Sequence, residues 1–328
     1  NDLAWSPFWP LVALRMRAIT LIGKVTGQPV HSVYHFGASI TGSLSHPLAR
    51  YDERIKALAV TGAYGGRGMD RSAIHYKSGL YDRWCEAGCN PYAIDPALDA
   101  ALTQTADIYA LGPWLTIPIL EIVPTNDSNA PPLLTPELFT PLAGETHHAM
   151  VPNVVHTHGT LRHAQLFRMW IDHVELGRPV NKIDDFRFER RDGQLVASAR
   201  VSETAPLQGV SLHHVAFDDD TYLGSPDWWS TPAECFTSAQ WQEAPMQRAG
   251  NRWEVTIPAP AARYVAGFVD AIDSHQDTPG YVSSFVKLLP LRARAEAELC
   301  QAIAADCRGG NDAGCARFAE RCLEGCVG

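Results

Sequence analysis

Gly37-Ala38-Ser39-Ile40-Thr41-Gly42 places one small nucleophile between glycines. The residues before it, Pro29-Val30-His31-Ser32-Val33-Tyr34-His35-Phe36, are rich in β-branched and aromatic types and predict a buried strand. Residues 41–50 can open a short helix. A strand that turns into a helix through a small-x-Ser-x-x-Gly sequence is a nucleophile elbow: the glycines allow a strained turn that pushes the hydroxyl into the open. Taken alone, the six residues also suit an ordinary glycine-rich turn. The sequence downstream has to decide.

An elbow serine needs a general base, and the base needs an acid to orient it. In α/β-hydrolases these follow in the chain order Ser, Asp or Glu, His. Here Asp127 follows an apolar run at 114–123, and His156 follows Met150-Val151-Pro152-Asn153-Val154-Val155. All three candidates then fall just past the carboxyl ends of parallel strands, where open α/β sheets place their sites. The backbone N–H of Ile40 is the candidate oxyanion donor. Alternatives stand beside this reading. Asp127 lies in an Asn-Asp-Ser-Asn loop where aspartate is a routine turn former. His147, His148, His158 and His163 crowd the same segment as His156, and His158 rivals it as the base. His156-x-His158 with His163 could bind metal, yet no carboxylate stands at ligand spacing; no metal and no cofactor are expected. Asp218-Asp219-Asp220 lacks the glycine and distal glutamate of a calcium loop. The run at 64–68 lacks the lysine of a phosphate loop.

Working outward, Ser6 can cap a helix that runs to about Gly23, with Leu11, Leu14, Ile19 and Ile22 as its apolar face. Residues 55–60 and 146–155 read as further strands and 161–176 as an amphipathic helix. Strands alternating with helices imply a mostly parallel sheet. The pattern changes near Asn181. Short alternating runs at 186–189, 195–201, 210–216, 253–257 and 264–270 describe an antiparallel β-sandwich of roughly 100 residues. Three segments follow: an α/β core over 1–180, a β-sandwich over 181–290, and a cysteine-rich helical hairpin over 291–328.

With 328 residues, 46% of them hydrophobic, the chain can bury a full core. Its net charge of −9 and lack of a basic run argue against nucleic acid as a partner. No apolar run approaches the ~20 residues needed to cross a bilayer. Eight cysteines, Cys85, Cys89, Cys235, Cys300, Cys307, Cys315, Cys322 and Cys326, form an even set clustered toward the C-terminus. That usage predicts disulfides and an oxidising, secreted or extracellular setting. Asn126-Asp127-Ser128 is the one glycosylation sequon, with Asn126 the candidate acceptor. Residue 1 is asparagine, which is expected of a processed chain.

Trp9-Pro10 in the first helix, the Gly-Ala-Ser elbow, Asp127, and Val151-Pro152-Asn153-x-x-His156 together resemble the PhoPQ-activated pathogenicity-related family, which includes autocrine proliferation repressor-like proteins. The resemblance spans about residue 5 to residue 290. It implies an α/β-hydrolase fold followed by a β-sandwich, and it favours His156 over His158. Family members carry Lys-Arg after the elbow serine, where Ile40-Thr41 stand here. The resemblance also implies that the strands before the elbow, and the loop giving a second oxyanion donor, come from an N-terminal partner: a fragment of the same precursor or another chain. Two functions follow. One is a secreted serine hydrolase of ester or peptide-like acyl bonds, completed by that partner. The other is a non-catalytic extracellular signalling or assembly protein on the same scaffold, which a sugar on Asn126 beside the site would favour.

Overall fold

The computed structural model describes residues 8–63, 105, 108–127, 132, 142–156, 159–217, 239–262, 264–274 and 278–289. The eight cysteines, the proposed hairpin over 291–328, His158, the 64–68 run and Asp218–Asp220 lie outside the described residues.

Helix α1 (Phe8–Thr26) leads to strand β1 (Val33–Ala38), two short helices α2 (Ile40–Ser43) and α3 (Ser45–Tyr51), and strand β2 (Ile55–Thr61). A one-turn helix α4 (Ile108–Leu111), strands β3 (Ile119–Asn126) and β4 (Thr146–Val155) and helix α5 (Leu161–Leu176) complete the first half. The four strands form one sheet in the order β1-β2-β3-β4, parallel throughout. Every residue of β3 and all but Lys56 of β2 are buried, as expected of strands covered on both faces. Parallel pairing brings the carboxyl ends of all four strands to one edge of the sheet.

Two expectations are corrected here. Helix α1 passes Gly23 and stops at Thr26, because Gly27, at φ 68°, supplies the left-handed residue that ends a helix. Its buried stripe is Trp9, Val12, Met16 and Ile19, packed on Leu44, Leu48, Leu58 and Ile119, whereas Leu11, Leu14 and Ile22 face outward with Leu21 and Val25. The strand expected over 114–123 starts later. Gly112–Trp114 forms a 3-10 turn with proline in its first residues, and pairing begins only after Pro118. The expected bounds of β4 and α5 match the structure. Thr160 caps α5 by accepting the His163 N–H, and Gly177 at φ 68° ends it.

The second half is antiparallel. Strands β5 (Lys182–Arg191), β6 (Gln194–Ser202), β7 (Leu207–Phe217), β8 (Gln242–Pro245), β9 (Gln247–Ala249), β10 (Arg252–Pro258), β11 (Tyr264–Asp273), β12 (Gly280–Ser283) and β13 (Lys287–Leu289) form two sheets. One runs β5-β6-β10-β9 and the other β12-β11-β7-β8, with β13 also on β11. Asp192 and Gly193, both at positive φ, make the two-residue turn between β5 and β6. Phe186, Phe188, Leu195 and Ala197 of the first sheet share an apolar cluster with Val210, Leu212, Val265 and Val269 of the second. The other face of the second sheet meets the parallel sheet, where Trp241, Tyr264 and Phe268 join Val123 and Met150. A buried polar seam lies beside it. Ser283 Oγ accepts the Met150 N–H at 2.8 Å and donates to Asp270, whose other oxygen pairs with Arg162 of α5.

Candidate active site

Ser39 sits between the last residue of β1 and the first of α2, at φ 54°. That left-handed backbone costs a side-chain-bearing residue roughly 1–2 kcal/mol and projects its side chain out of the strand-to-helix path. The flanking sequence explains how the turn is held. A Cβ on Gly37 would lie 2.5 Å from Ser45 Oγ and 2.7 Å from the Thr41 carbonyl, so only glycine fits. A Cβ on Gly42 would meet Ala63 Cβ at 2.9 Å. The Ser39 N–H donates to the Thr61 carbonyl at 2.9 Å, and its own carbonyl accepts from the Ser43 N–H at 3.0 Å. Thr41 Oγ1 receives the Ala38 N–H at 2.9 Å, and Arg15 of α1 donates to the Thr41 carbonyl. His35 contacts Ser45 Oγ at 3.0 Å. Burial first, and the Arg15 charge second, push its pKa down to about 4, so the ring beneath the elbow stays neutral near pH 7. Ile40 is the first residue of α2, so its N–H lies in the opening turn, where no carbonyl four residues back is available to it.

Three of the residues singled out in the sequence meet in space. His156 Nε2 lies 2.6 Å from Ser39 Oγ, and His156 Nδ1 lies 2.9 and 2.8 Å from the two carboxylate oxygens of Asp127. Asp127 is fully buried, and the His156 side chain is 18% exposed. With the Nδ1 proton donated to Asp127, Nε2 is left to accept the serine hydroxyl proton. The chain of contacts runs from buried carboxylate to imidazole to a hydroxyl on a strained turn.

Several residues that sequence reasoning did not assign hold this arrangement. Gly62 follows β2 at φ 52°, and a Cβ there would lie 2.7 Å from Asp127 Oδ2 and 3.1 Å from His156 Nδ1. Glycine after the strand was visible in the sequence, but what it faces was not. Asn153 adopts φ 57° near the end of β4, where its N–H donates to Thr125 Oγ1. Its side chain exchanges two hydrogen bonds with the Trp241 backbone, at 3.0 and 2.7 Å. His163 is engaged at both ring nitrogens, by Thr61 Oγ1 at 3.2 Å and Thr160 Oγ1 at 2.9 Å, and burial lowers its pKa. With His156 committed to Ser39 and Asp127, the two described members of the His156/His158/His163 metal alternative have other partners.

The sugar expected on Asn126 is also corrected. That residue is 1% exposed and donates its amide to the Ala239 carbonyl at 2.6 Å, so a glycan on this nitrogen does not fit the folded chain.

No protein-family model matches this chain, and no curated protein sequence does. Solved structures of α/β-hydrolase type resemble it at low identity. An acetyl xylan esterase from a Paenibacillus species is 18% identical, with a TM-score of 0.42 over 49% of this chain and 51% of that one. Acetyl xylan esterase 1 from a Thermoanaerobacterium species is 15% identical, with a TM-score of 0.39 over 48% and 51%. The acylaminoacyl peptidase of Pyrococcus horikoshii is 15% identical, with a TM-score of 0.38 over 47% of this chain and 26% of that one. The aligned part thus spans about half the length of the two esterases and about a quarter of the peptidase.

Proposed function

We propose that this chain is a serine hydrolase of the α/β-hydrolase fold, acting on ester or peptide-like acyl bonds. One observation carries the reading: a serine at positive φ between a parallel strand and a helix, hydrogen-bonded to a histidine that a fully buried aspartate holds. In the reaction, His156 Nε2 takes the Ser39 proton as Oγ attacks the substrate carbonyl. The Ile40 N–H donates to the resulting oxyanion. The imidazolium then gives its proton to the departing alcohol or amine, leaving an acyl-serine. Water attacks the acyl carbon and gives its proton to His156, and Ser39 recovers the proton as the acid product leaves. Asp127 holds the ring in one tautomer and stabilises its charged form throughout.

The finer readings belong to the same proposal. The motif match supports membership of the PhoPQ-activated pathogenicity-related family, with the two antiparallel sheets forming the β-sandwich that follows the hydrolase core. The even set of cysteines supports secretion. An N-terminal partner, from the same precursor or another chain, supplies strands beside β1 and a second oxyanion donor. Among the described residues β1 pairs only with β2, and Leu14, Leu21, Ile22 and Val25 of α1 are more than half exposed, both of which favour such a partner. A non-catalytic extracellular signalling or assembly protein on the same scaffold is the second reading, and the burial of Asn126 removes one argument for it.

A fluorophosphonate probe tests the proposal on the protein isolated with its precursor-derived segments. Covalent labelling is expected in the wild type and absent in Ser39→Ala. A folded wild-type protein that does not label would overturn the catalytic reading.

A further inference from the structure

At the opposite end of β4 from His156, three side chains with metal-ligand chemistry converge. Glu145, just before the strand, His147 within it and His173 in the last turn of α5 each offer a ligand atom, all lying within 4.8 Å of one another. Glu145 Oε1 is 2.8 Å from His147 Nε2 and 3.3 Å from His173 Nε2. Nine residue steps lead from His147 to His156, up to ~30 Å of extended chain at ~3.3 Å per residue, so the cluster stands at the far end of β4 from His156.

From these contacts we infer a zinc site with Glu145, His147 Nε2 and His173 Nε2 as its protein ligands. Bond lengths of ~2.0–2.1 Å at a tetrahedral ion put neighbouring ligand atoms ~3.4 Å apart, which the 3.3 Å from Glu145 to His173 matches and the 2.8 Å to His147 reaches by a small outward shift. A hydrogen bond orients the second ring. His173 Nδ1 donates to the Arg178 carbonyl at 2.7 Å, which leaves Nε2 on the Glu145 side. Two imidazole nitrogens then face a single carboxylate oxygen.

The surroundings are built for fixed ligands. The Trp170 indole stacks on the His173 ring at 5.2 Å and meets His147 edge-on at 5.5 Å, which restricts both rotamers. The His147 and His173 rings contact each other at 5.3 Å. His173 lies where the carbonyl end of the α5 dipole favours positive charge. Glu145 is 41% exposed, giving the ion a route in and leaving a fourth position for water. Two histidines, a carboxylate and an open position make up a ligand set that zinc accepts.

The test uses the folded, chelator-stripped chain, titrated with zinc by calorimetry and with cobalt(II) by visible absorption. One zinc per chain and a tetrahedral cobalt spectrum with nitrogen and oxygen ligands are expected. Glu145→Gln and His173→Gln should each weaken binding by ~100-fold or more. Both positions are at least partly exposed, and circular dichroism of the metal-free variants checks that they fold. Glu145→Gln removes only the charge, so its result stands even if His173→Gln proves unstable. Zinc should also raise the wild-type unfolding temperature and leave that of Glu145→Gln nearly unchanged. The proposal is overturned by an absence of zinc binding, by unchanged affinity in Glu145→Gln, or by cobalt-thiolate charge-transfer bands that place the metal on cysteine.

Discussion

Strand β4 has a histidine held by a carboxylate at each end, and the two ends are built differently. At the carboxyl end, Asp127 is fully buried and touches one ring, Gly62 closes over the contact, and a serine on a strained turn waits beyond. At the amino end, Glu145 is 41% exposed and two rings share one of its oxygens. A buried carboxylate set against one ring fixes a tautomer and a direction for proton transfer. A half-exposed carboxylate with two partners makes a socket for a cation. The same residue pair serves opposite chemistry because burial and the third group differ.

The largest effect should come from the carboxylate at the carboxyl end. Asp127→Asn keeps the shape but favours the wrong His156 tautomer, and it should slow fluorophosphonate labelling by ~10⁴-fold. Labelling within tenfold of wild type would break the distinction between the two ends.

The residue next to His147 in the same strand gives the next prediction. His148 points away from its neighbour His147, and its Nδ1 lies 3.3 Å from the Ser283 carbonyl. Burial pushes its pKa down from 6.5 to about 4. Below pH 6.5 the unfolded chain takes up a proton that the folded chain refuses, so stability falls as pH drops from 6.5 to 4. Below 4 both states are protonated and the loss is complete. The shift corresponds to about 3 kcal/mol. Denaturant unfolding at pH 7 and pH 4.5 should show this drop, and His148→Gln should reduce it. Burial also lowers the pKa values of His35, His147, His163 and His214, so their contributions have the same sign.

Gly62→Ala comes next. The new methyl group would press on Asp127 and His156 at a positive φ, and a displacement near 1 Å should cost ~10²-fold in labelling rate. If the rate holds while stability falls by about 1 kcal/mol, Gly62 serves only its backbone conformation.

The smallest effect is expected from Asn153→Ala, which removes both bonds to Trp241 and places alanine at φ 57°. A loss of about 1–2 kcal/mol by thermal unfolding should accompany it, with a modest fall in labelling. Asn153→Gly separates the two causes, because it tolerates the φ but still lacks the amide.

Much of the candidate site was legible because Ser39, Asp127 and His156 each follow a predictable strand. The elbow sequence, the apolar run before Asp127 and the Val-Pro-Asn-Val-Val run before His156 are local signals, and local periodicity reads them directly. Strand β4 and helix α5 were legible to the residue because Thr160 and Gly177 mark the helix ends and the strand pattern is strong. The misread stretches have local causes too. Pro118 delays the pairing of β3, and the buried side of α1 lies next to the stripe that its apolar content suggested, because outward-facing leucines imitate a core face. What the sequence hid is long-range. Gly62 matters through a carboxylate 65 positions later, and Asn153 matters through a backbone 88 positions away. The Glu145, His147 and His173 cluster depends on how a helix end meets a strand start, which no spacing rule foretells.

The amides of Asn126 and Asn153 both reach across to the short stretch at Ala239 and Trp241. The end of β3 before Asp127 and the end of β4 before His156 are therefore held in place from outside the parallel sheet. Removing everything after residue 180 would keep Ser39, Asp127 and His156 in the chain, yet it would take away the struts that set the distances between them. The antiparallel half thus works as a jig for the half that carries Ser39, Asp127 and His156. Recombination that exchanges one half without the other would preserve every reactive atom and lose their alignment.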